Sequence, residues 1–199
     1  TAYALQNDTF REIVSTKNIK IVNGKGENRY LKNKNKLLFT LEDCIGVKTG
    51  FTDDAGRCLV SAVDKNGMKL VCVMLNCGPM FEESAILLKE CGNLYKLYDL
   101  TEFYEIDETV SVVDGAKRTA KIGTKGEFVY PLTEKEKDNL RFVYTYPKEI
   151  EAPMKKGQEI GNVEIFLGND LLFSEKIYTI EEVKPKSLLQ RMQDFFSQW

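Results

Sequence analysis

The sequence predicts an α+β protein in three consecutive parts: an antiparallel sheet with covering helices over residues 1–98, a small all-β sandwich over 99–184, and an amphipathic helix over 185–199. Three observations carry this. Between Cys44 and Leu75, three apolar runs of strand length are separated by turn residues, and helical spacing follows from Pro79. From Phe103 to Val183 the chain becomes short alternating runs between turn residues, the pattern of a small all-β domain. Beyond Pro185 the period changes again, to a helical one.

Taken in order, Thr9-Phe10-Arg11-Glu12 reads as a capping box opening a short helix to about Ser15, with Phe10, Ile13 and Val14 on one face. Ile19, Ile21 and Tyr30 are alternating apolar points in a polar stretch, which predicts a loose hairpin turning at Asn23-Gly24. Strands are expected over 44–49, 57–63 and 68–75, with Asp64-Lys65-Asn66-Gly67 as a hairpin loop. The near-continuous apolar run Leu70 to Leu75 predicts a strand covered on both faces. Phe81, Ala85, Leu88, Cys91 and Tyr95 then recur at helical spacing, so a helix should pack on this sheet until about Leu97. Further on, the charged run Glu134 to Asn139 reads as a solvated loop, and Ala152 to Gly161 as a turn and bulge. Leu188, Leu189, Met192, Phe195, Phe196 and Trp199 share one face of the terminal helix, with Lys184, Lys186 and Arg191 available to anionic headgroups. That helix is expected to lie on a membrane surface through residues 186–199.

Composition narrows the chemistry. The chain has 199 residues, 43% of them hydrophobic and 29% charged, which is enough for one large or two small globular domains. Its 28 basic and 30 acidic residues are interspersed at a net charge of −2, so no nucleic-acid partner is expected. With no histidine, catalytic Ser-His-Asp and Cys-His arrangements and His-ligated metals are excluded, and a general base must be Lys, Asp, Glu or Tyr. The five cysteines all fall in the first half and lack Cys-x-x-Cys spacing, so they read as buried thiols. No metal and no cofactor is expected.

The chemistry-bearing stretch is Cys44 to Thr52, a strand ending in Lys48-Thr49-Gly50. The tripeptide offers a fixed positive charge, a hydroxyl donor and a backbone that can be approached closely. Lys48 supplies the charge, Thr49 the hydroxyl and Gly50 the approach, since it has no Cβ.

These residues resemble a known family, the D-alanyl-D-alanine carboxypeptidases among the low-molecular-mass penicillin-binding proteins. The similar string runs from Asn35-Lys36-Leu37-Leu38 through Cys44–Thr52 to Ala55-Gly56-Arg57-Cys58-Leu59. Glu151-Ala152-Pro153 with Lys156-Gly157 and Gly161 resembles a turn of the family's C-terminal β domain, and the terminal helix looks like its membrane anchor. The resemblance implies the C-terminal part of a penicillin-binding/β-lactamase-like domain, followed by the β domain and the anchor.

It further implies serine acyl transfer on the peptidoglycan stem peptide: a serine attacks the amide between the last two D-alanines, and water hydrolyses the acyl-enzyme. β-Lactams are implied as inhibitors, and the location as extracytoplasmic, peripheral on the outer face of the bacterial cytoplasmic membrane. By resemblance the catalytic roles fall to Lys48 and to the backbone N–H of Phe51 as half of the oxyanion hole.

The family's two other motifs, Ser-x-x-Lys and Ser-x-Asn, do not occur in these 199 residues. This chain alone is therefore expected to be inactive, with the nucleophile in upstream sequence. Where the family commonly has an arginine at the start of the helix after the third strand, this chain has Glu82-Glu83, and Arg57 is the substitute for carboxylate recognition. A non-catalytic peptidoglycan-binding or scaffolding protein is the alternative, and a β-lactamase fits less well because such enzymes usually lack the β domain and anchor. Exposed strand surfaces around Val71 to Leu75 also predict self-association or exchange of elements between chains.

Overall fold

A computed structural model describes residues 1–104, 106 and 108–196. The order of elements is a 3₁₀ turn (Ala4–Gln6), α1 (Asp8–Ser15), β1 (Asn18–Val22), β2 (Asn28–Lys32), α2 (Leu37–Thr40), β3 (Cys44–Thr52), β4 (Gly56–Lys65), β5 (Met68–Met74) and α3 (Met80–Leu94). There follow β6 (Lys96–Asp99), α4 (Thr101–Tyr104), β7 (Glu108–Val113), β8 (Thr119–Gly123), β9 (Val129–Leu132), α5 (Glu134–Asp138), β10 (Leu140–Thr145), β11 (Glu149–Glu151), β12 (Glu159–Leu167), β13 (Asp170–Thr179) and α6 (Leu188–Phe196). The fold class is α+β, and the chain divides into two compact units, Thr1–Leu97 and Tyr98–Trp199.

The first unit is a three-stranded antiparallel sheet in the order β3-β4-β5. Its strands β4 and β5 turn through Asn66 and Gly67, which carry φ of 53° and 85°. Positive φ at both central residues is what a two-residue hairpin matching the strand twist requires. Alternation then splits the apolar residues between two faces. On one, Leu59 and Val63 of β4 pack with Met80 and Leu88 of α3 and with Leu37 and Leu41. On the other, Ala62 and Val47 pack with Leu5, joined by Phe10 and Val14 of α1.

Between β4 and α3 the fully buried Ser61 and Ser84 hydroxyls hydrogen-bond each other, so neither enters the helix–sheet interface unsatisfied. Three local expectations differ from the structure. The helix cap is Asn7, whose side chain accepts from Phe10 N–H, rather than Thr9; asparagine serves equally well and adds two residues, with Asp8 at the positive end. The hairpin loop spans Asn23 to Glu27, because Asn23 Oδ1 accepts from both Lys25 and Glu27 N–H and so closes a longer turn than Asn23-Gly24. Strand β5 is covered on one face only: Val71 and Val73, and Leu75 just after the strand, are 38%, 56% and 75% exposed.

The second unit is built on a six-stranded sheet in the order β10-β12-β13-β8-β7-β11, antiparallel except for the β7–β11 pair. Its core is the inward row of those strands, with Val163, Ile165, Ile177, Ile122 and Ala120 at 0% exposure. The charged run Glu134 to Asp138 is helix α5 and not a loop, held by a full capping box between Thr133 and Glu136. Helix α6 starts with a similar reciprocal pair, Gln190 N–H to Ser187 Oγ and Ser187 N–H to Gln190 Oε1. Leu188, Leu189, Met192 and Phe196 of α6 are exposed. Trp199 and the Phe195 side chain, expected on the same apolar face, lie outside the described residues. No helix among the described residues is long and apolar enough to cross a membrane.

Candidate active site

Strand β3 is an edge of its sheet: β4 lies on one side and no described strand on the other. Its register sets Lys48 opposite Val60, Thr49 opposite Leu59, Gly50 opposite Cys58 and Phe51 opposite Arg57. The carbonyl of Arg57 accepts from Cys77 N–H at 2.9 Å, on the far side of β4. An antiparallel residue turns its N–H and C=O the same way, so Phe51 and Arg57 form a non-hydrogen-bonded pair. The N–H and C=O of Phe51 therefore face the open edge, and so do those of Thr49, two residues back. Consistent with that, Lys48 Nζ reaches round to donate to Thr49 O at 2.5 Å.

A groove of about 680 Å³ runs along this edge, lined by Lys34, Lys36, Lys48, Thr49, Gly50, Phe51, Arg57, Met80 and Phe81. The five residues singled out from sequence, Lys48, Thr49, Gly50, Phe51 and Arg57, are thus together in one place. Lys34, Lys36, Met80 and Phe81 join them from other segments. The two lysines are positioned by their neighbours: Asn33 Oδ1 accepts from Asn35 N–H at 2.9 Å, and Asn35 Oδ1 from Leu37 N–H at 3.1 Å. With Asn35, Leu37 and Leu38 buried at 1%, 2% and 3% exposure, Lys34 and Lys36 between them are left outside. Lys36 Nζ rests 5.6 Å from the centre of the Phe81 ring at the start of α3. Met80 and Phe81 could have been suspected from the helix start at Pro79, and Lys36 stands in the family-like string Asn35–Leu38, whereas nothing in the sequence signals Lys34.

Gly50 carries a specific message. A Cβ built there meets nothing nearer than Cys58 Cβ at 3.8 Å, an ordinary contact. The fold does not demand glycine at this position, and its bare Cα leaves the strand open to close approach. We expect Gly50→Ala to leave the melting midpoint within a few degrees, because a methyl fits. A clear fall in the midpoint would contradict the open space at this Cα.

The chemistry available is electrostatic. Four cations and no carboxylate line the groove, and a cleft of one sign raises the local concentration of oppositely charged ligand. Neither serine nor cysteine is among its lining residues, and Ser61 and Ser84 are fully buried and bonded to each other. The cysteines are half-buried and free of disulfides rather than fully buried. Burial is the main reason that the Cys44 thiol is pushed above its ordinary pKa, which keeps it protonated. Among the described residues no cluster of metal-ligating side chains exists.

Comparison with known proteins places residues 1–78 in a family model described as D-alanyl-D-alanine carboxypeptidase and residues 98–185 in one described as penicillin-binding protein 5, C-terminal domain. The D-alanyl-D-alanine carboxypeptidase DacF of Bacillus subtilis (strain 168) is 25% identical over 174 residues, 85% of this chain and 45% of the relative. A D-alanyl-D-alanine carboxypeptidase of Streptomyces sp. (strain K15) is 39% identical over 77 residues, 36% of this chain and 26% of that protein. Among solved structures, penicillin binding protein 5 from Haemophilus influenzae superposes with a TM-score of 0.64 at 25% identity, covering 92% of this chain and 54% of that one. The chain spans about half or less of the length of these proteins.

Proposed function

Since the chain belongs to the D-alanyl-D-alanine carboxypeptidase family, we propose that β3 is the substrate-facing wall of a serine D-Ala-D-Ala carboxypeptidase site acting on peptidoglycan stem peptides. The observation that carries the reading is the open edge of β3 at Lys48-Thr49-Gly50-Phe51, with outward-facing backbone groups inside a cationic groove. A peptide strand laid along that edge can take main-chain hydrogen bonds from it while its terminal carboxylate meets Lys48 and Thr49. Arg57, opposite Phe51, adds a second charge to the same end. The outward N–H of Phe51 is one donor for the oxyanion of the tetrahedral intermediate.

The serine and its lysine come from sequence outside these 199 residues, where neither Ser-x-x-Lys nor Ser-x-Asn occurs. On this reading the serine oxygen attacks the carbonyl of the penultimate D-alanine, D-alanine departs, and water hydrolyses the ester. β-Lactams acylate the same serine. Release of D-alanine by the upstream-extended protein, blocked by penicillin, tests the reading.

The protein is further proposed to work outside the cytoplasm, held at the outer face of the cytoplasmic membrane by α6. The support is the exposed row Leu188, Leu189, Met192 and Phe196. Lys186 is already tied to Asp194 at 2.6 Å, so Lys184 and Arg191 are the cations left for headgroups. The chain should sediment with vesicles containing anionic lipid, and a Leu189→Glu/Met192→Glu double variant should lose at least about tenfold of that binding. Identical sedimentation of both proteins would remove α6 from the membrane.

A further inference from the structure

We propose that the ribbon formed by β1 and β2 binds a linear phosphodiester polymer of the polyol-phosphate kind, along the face that carries Lys20, Tyr30 and Lys32. None of these three residues lines the β3 groove.

The ribbon is a two-stranded sheet by itself, and every residue of both strands is exposed. Residues 17–32 hold four lysines and one arginine against one glutamate, in a chain of net charge −2. That glutamate, Glu27, accepts from Asn23 Nδ2 at 2.7 Å and so belongs to the turn. None of the five cations forms an ion pair among the described residues. Unpaired like charges on a slight scaffold repel each other, and a polyanion laid across them turns that repulsion into binding.

Two of the cations are also held in place. Lys20 Nζ rests 5.7 Å from the centre of the Tyr30 ring, and Lys32 Nζ 5.1 Å from that of Phe39 in α2. A hollow of about 380 Å³ is lined by Asn18, Ile19, Lys20, Tyr30, Leu31 and Lys32. The register pairs Lys20 with Tyr30 and Asn18 with Lys32. Lys20 and Lys32 therefore share one face and stand about 7 Å apart along the ribbon. A short polyol between successive phosphates gives a repeat of similar length, so neighbouring phosphates can meet the two lysines in turn.

The chemistry of the face selects among polyanions. Lysine is a point charge that suits a phosphate in any rotation, whereas a planar carboxylate is matched best by the fork of arginine. A single-stranded nucleic acid calls for bare ring faces on which bases stack, and here the rings carry ammonium groups. Ile19, Ile21 and Leu31 lie on the opposite face of the ribbon. Pressing that apolar face into a bilayer would point Lys20 and Lys32 away from the headgroups.

The test uses the upstream-extended protein carrying Leu189→Glu/Met192→Glu, so that α6 takes no part, and poly(glycerol phosphate) as the probe. Binding is expected, weakening about tenfold or more between about 50 and 200 mM salt. K20Q/K32Q should lose at least about tenfold of it with an unchanged melting midpoint, and K20R/K32R, which keeps the charge, should stay within about threefold. K155Q/K156Q, which removes two exposed lysines from the second unit, should bind as the parent does. Undiminished binding by K20Q/K32Q, or an equal loss in K155Q/K156Q, overturns the proposal. So does equal or tighter binding of neutral dextran, of a single-stranded oligonucleotide with the same number of phosphates, or of vesicles containing anionic lipid.

Discussion

Lys48→Gln is expected to slow acylation of the upstream-extended protein by penicillin by about 10²- to 10³-fold, the usual cost of removing one preorganised electrostatic group. The same change should move the melting midpoint by no more than about 3 °C, as for other surface substitutions that break no buried interaction. Lys48 is exposed, on an edge strand, and its only described partner is the carbonyl of Thr49 beside it. Little of the fold depends on it. What the substitution removes is a full positive charge beside the backbone edge where a substrate carboxylate would lie, and a glutamine amide replaces it with a weaker, uncharged donor. Lys48→Arg should recover part of the rate, limited by the different shape of the guanidinium. Stopped-flow labelling with a fluorescent penicillin reads all three proteins, and a glutamine variant as fast as wild type would take Lys48 out of the site.

Gly161→Ala is expected to destabilise the second unit by about 3 kcal/mol, at the upper end of overpacking costs. For a unit of this size that is a fall of roughly 15 °C in its melting midpoint. A Cβ at Gly161 would stand 2.1 Å from the carbonyl oxygen of Thr145, 3.0 Å from its carbonyl carbon and 2.8 Å from Tyr146 Cβ. Two of those three atoms are backbone, so no rotamer change relieves the overlap, and β12 must move away from the end of β10. β12 lies between β10 and β13 and cannot shift without disturbing two ladders. Calorimetry on Gly161→Ala, with Gly78→Ala as a position with open space and no positive φ, separates close packing from a general effect of removing glycine. Unfolding within 3 °C of wild type would contradict the account of that strand crossing.

The sequence shows the sheet, α3 and the β-rich second half because these rest on periodicity, a property of consecutive residues. The candidate site is readable for the same reason: Lys48, Thr49, Gly50 and Phe51 are neighbours in the chain, and Arg57 follows across one turn. A place for Lys34 and Lys36 beside Lys48 is not readable, since what distinguishes them from other surface lysines is the groove that the turn before α2, β3, Arg57 of β4 and the start of α3 line together. Exposure of Val71 and Val73 is legible only through the resemblance, which implies covering helices outside these residues; an apolar strand by itself looks the same whether one or two layers cover it. Helix α5 was within reach: Thr133 to Glu136 spells a capping box, but a run this polar shows no apolar face to suggest a helix. Asn7 and Thr9 compete as caps for α1, and sequence alone does not rank two adjacent good capping residues.

The measurement closest to the central claim is the release of D-alanine from a peptide ending in D-Ala-D-Ala by the upstream-extended protein, with and without prior penicillin. The account predicts one D-alanine per peptide consumed, and complete inhibition once one penicillin is covalently bound per protein. A correctly folded protein that binds the peptide yet releases no D-alanine and retains no covalent penicillin would contradict it, and would make the β3 groove a binding surface rather than half of an enzyme.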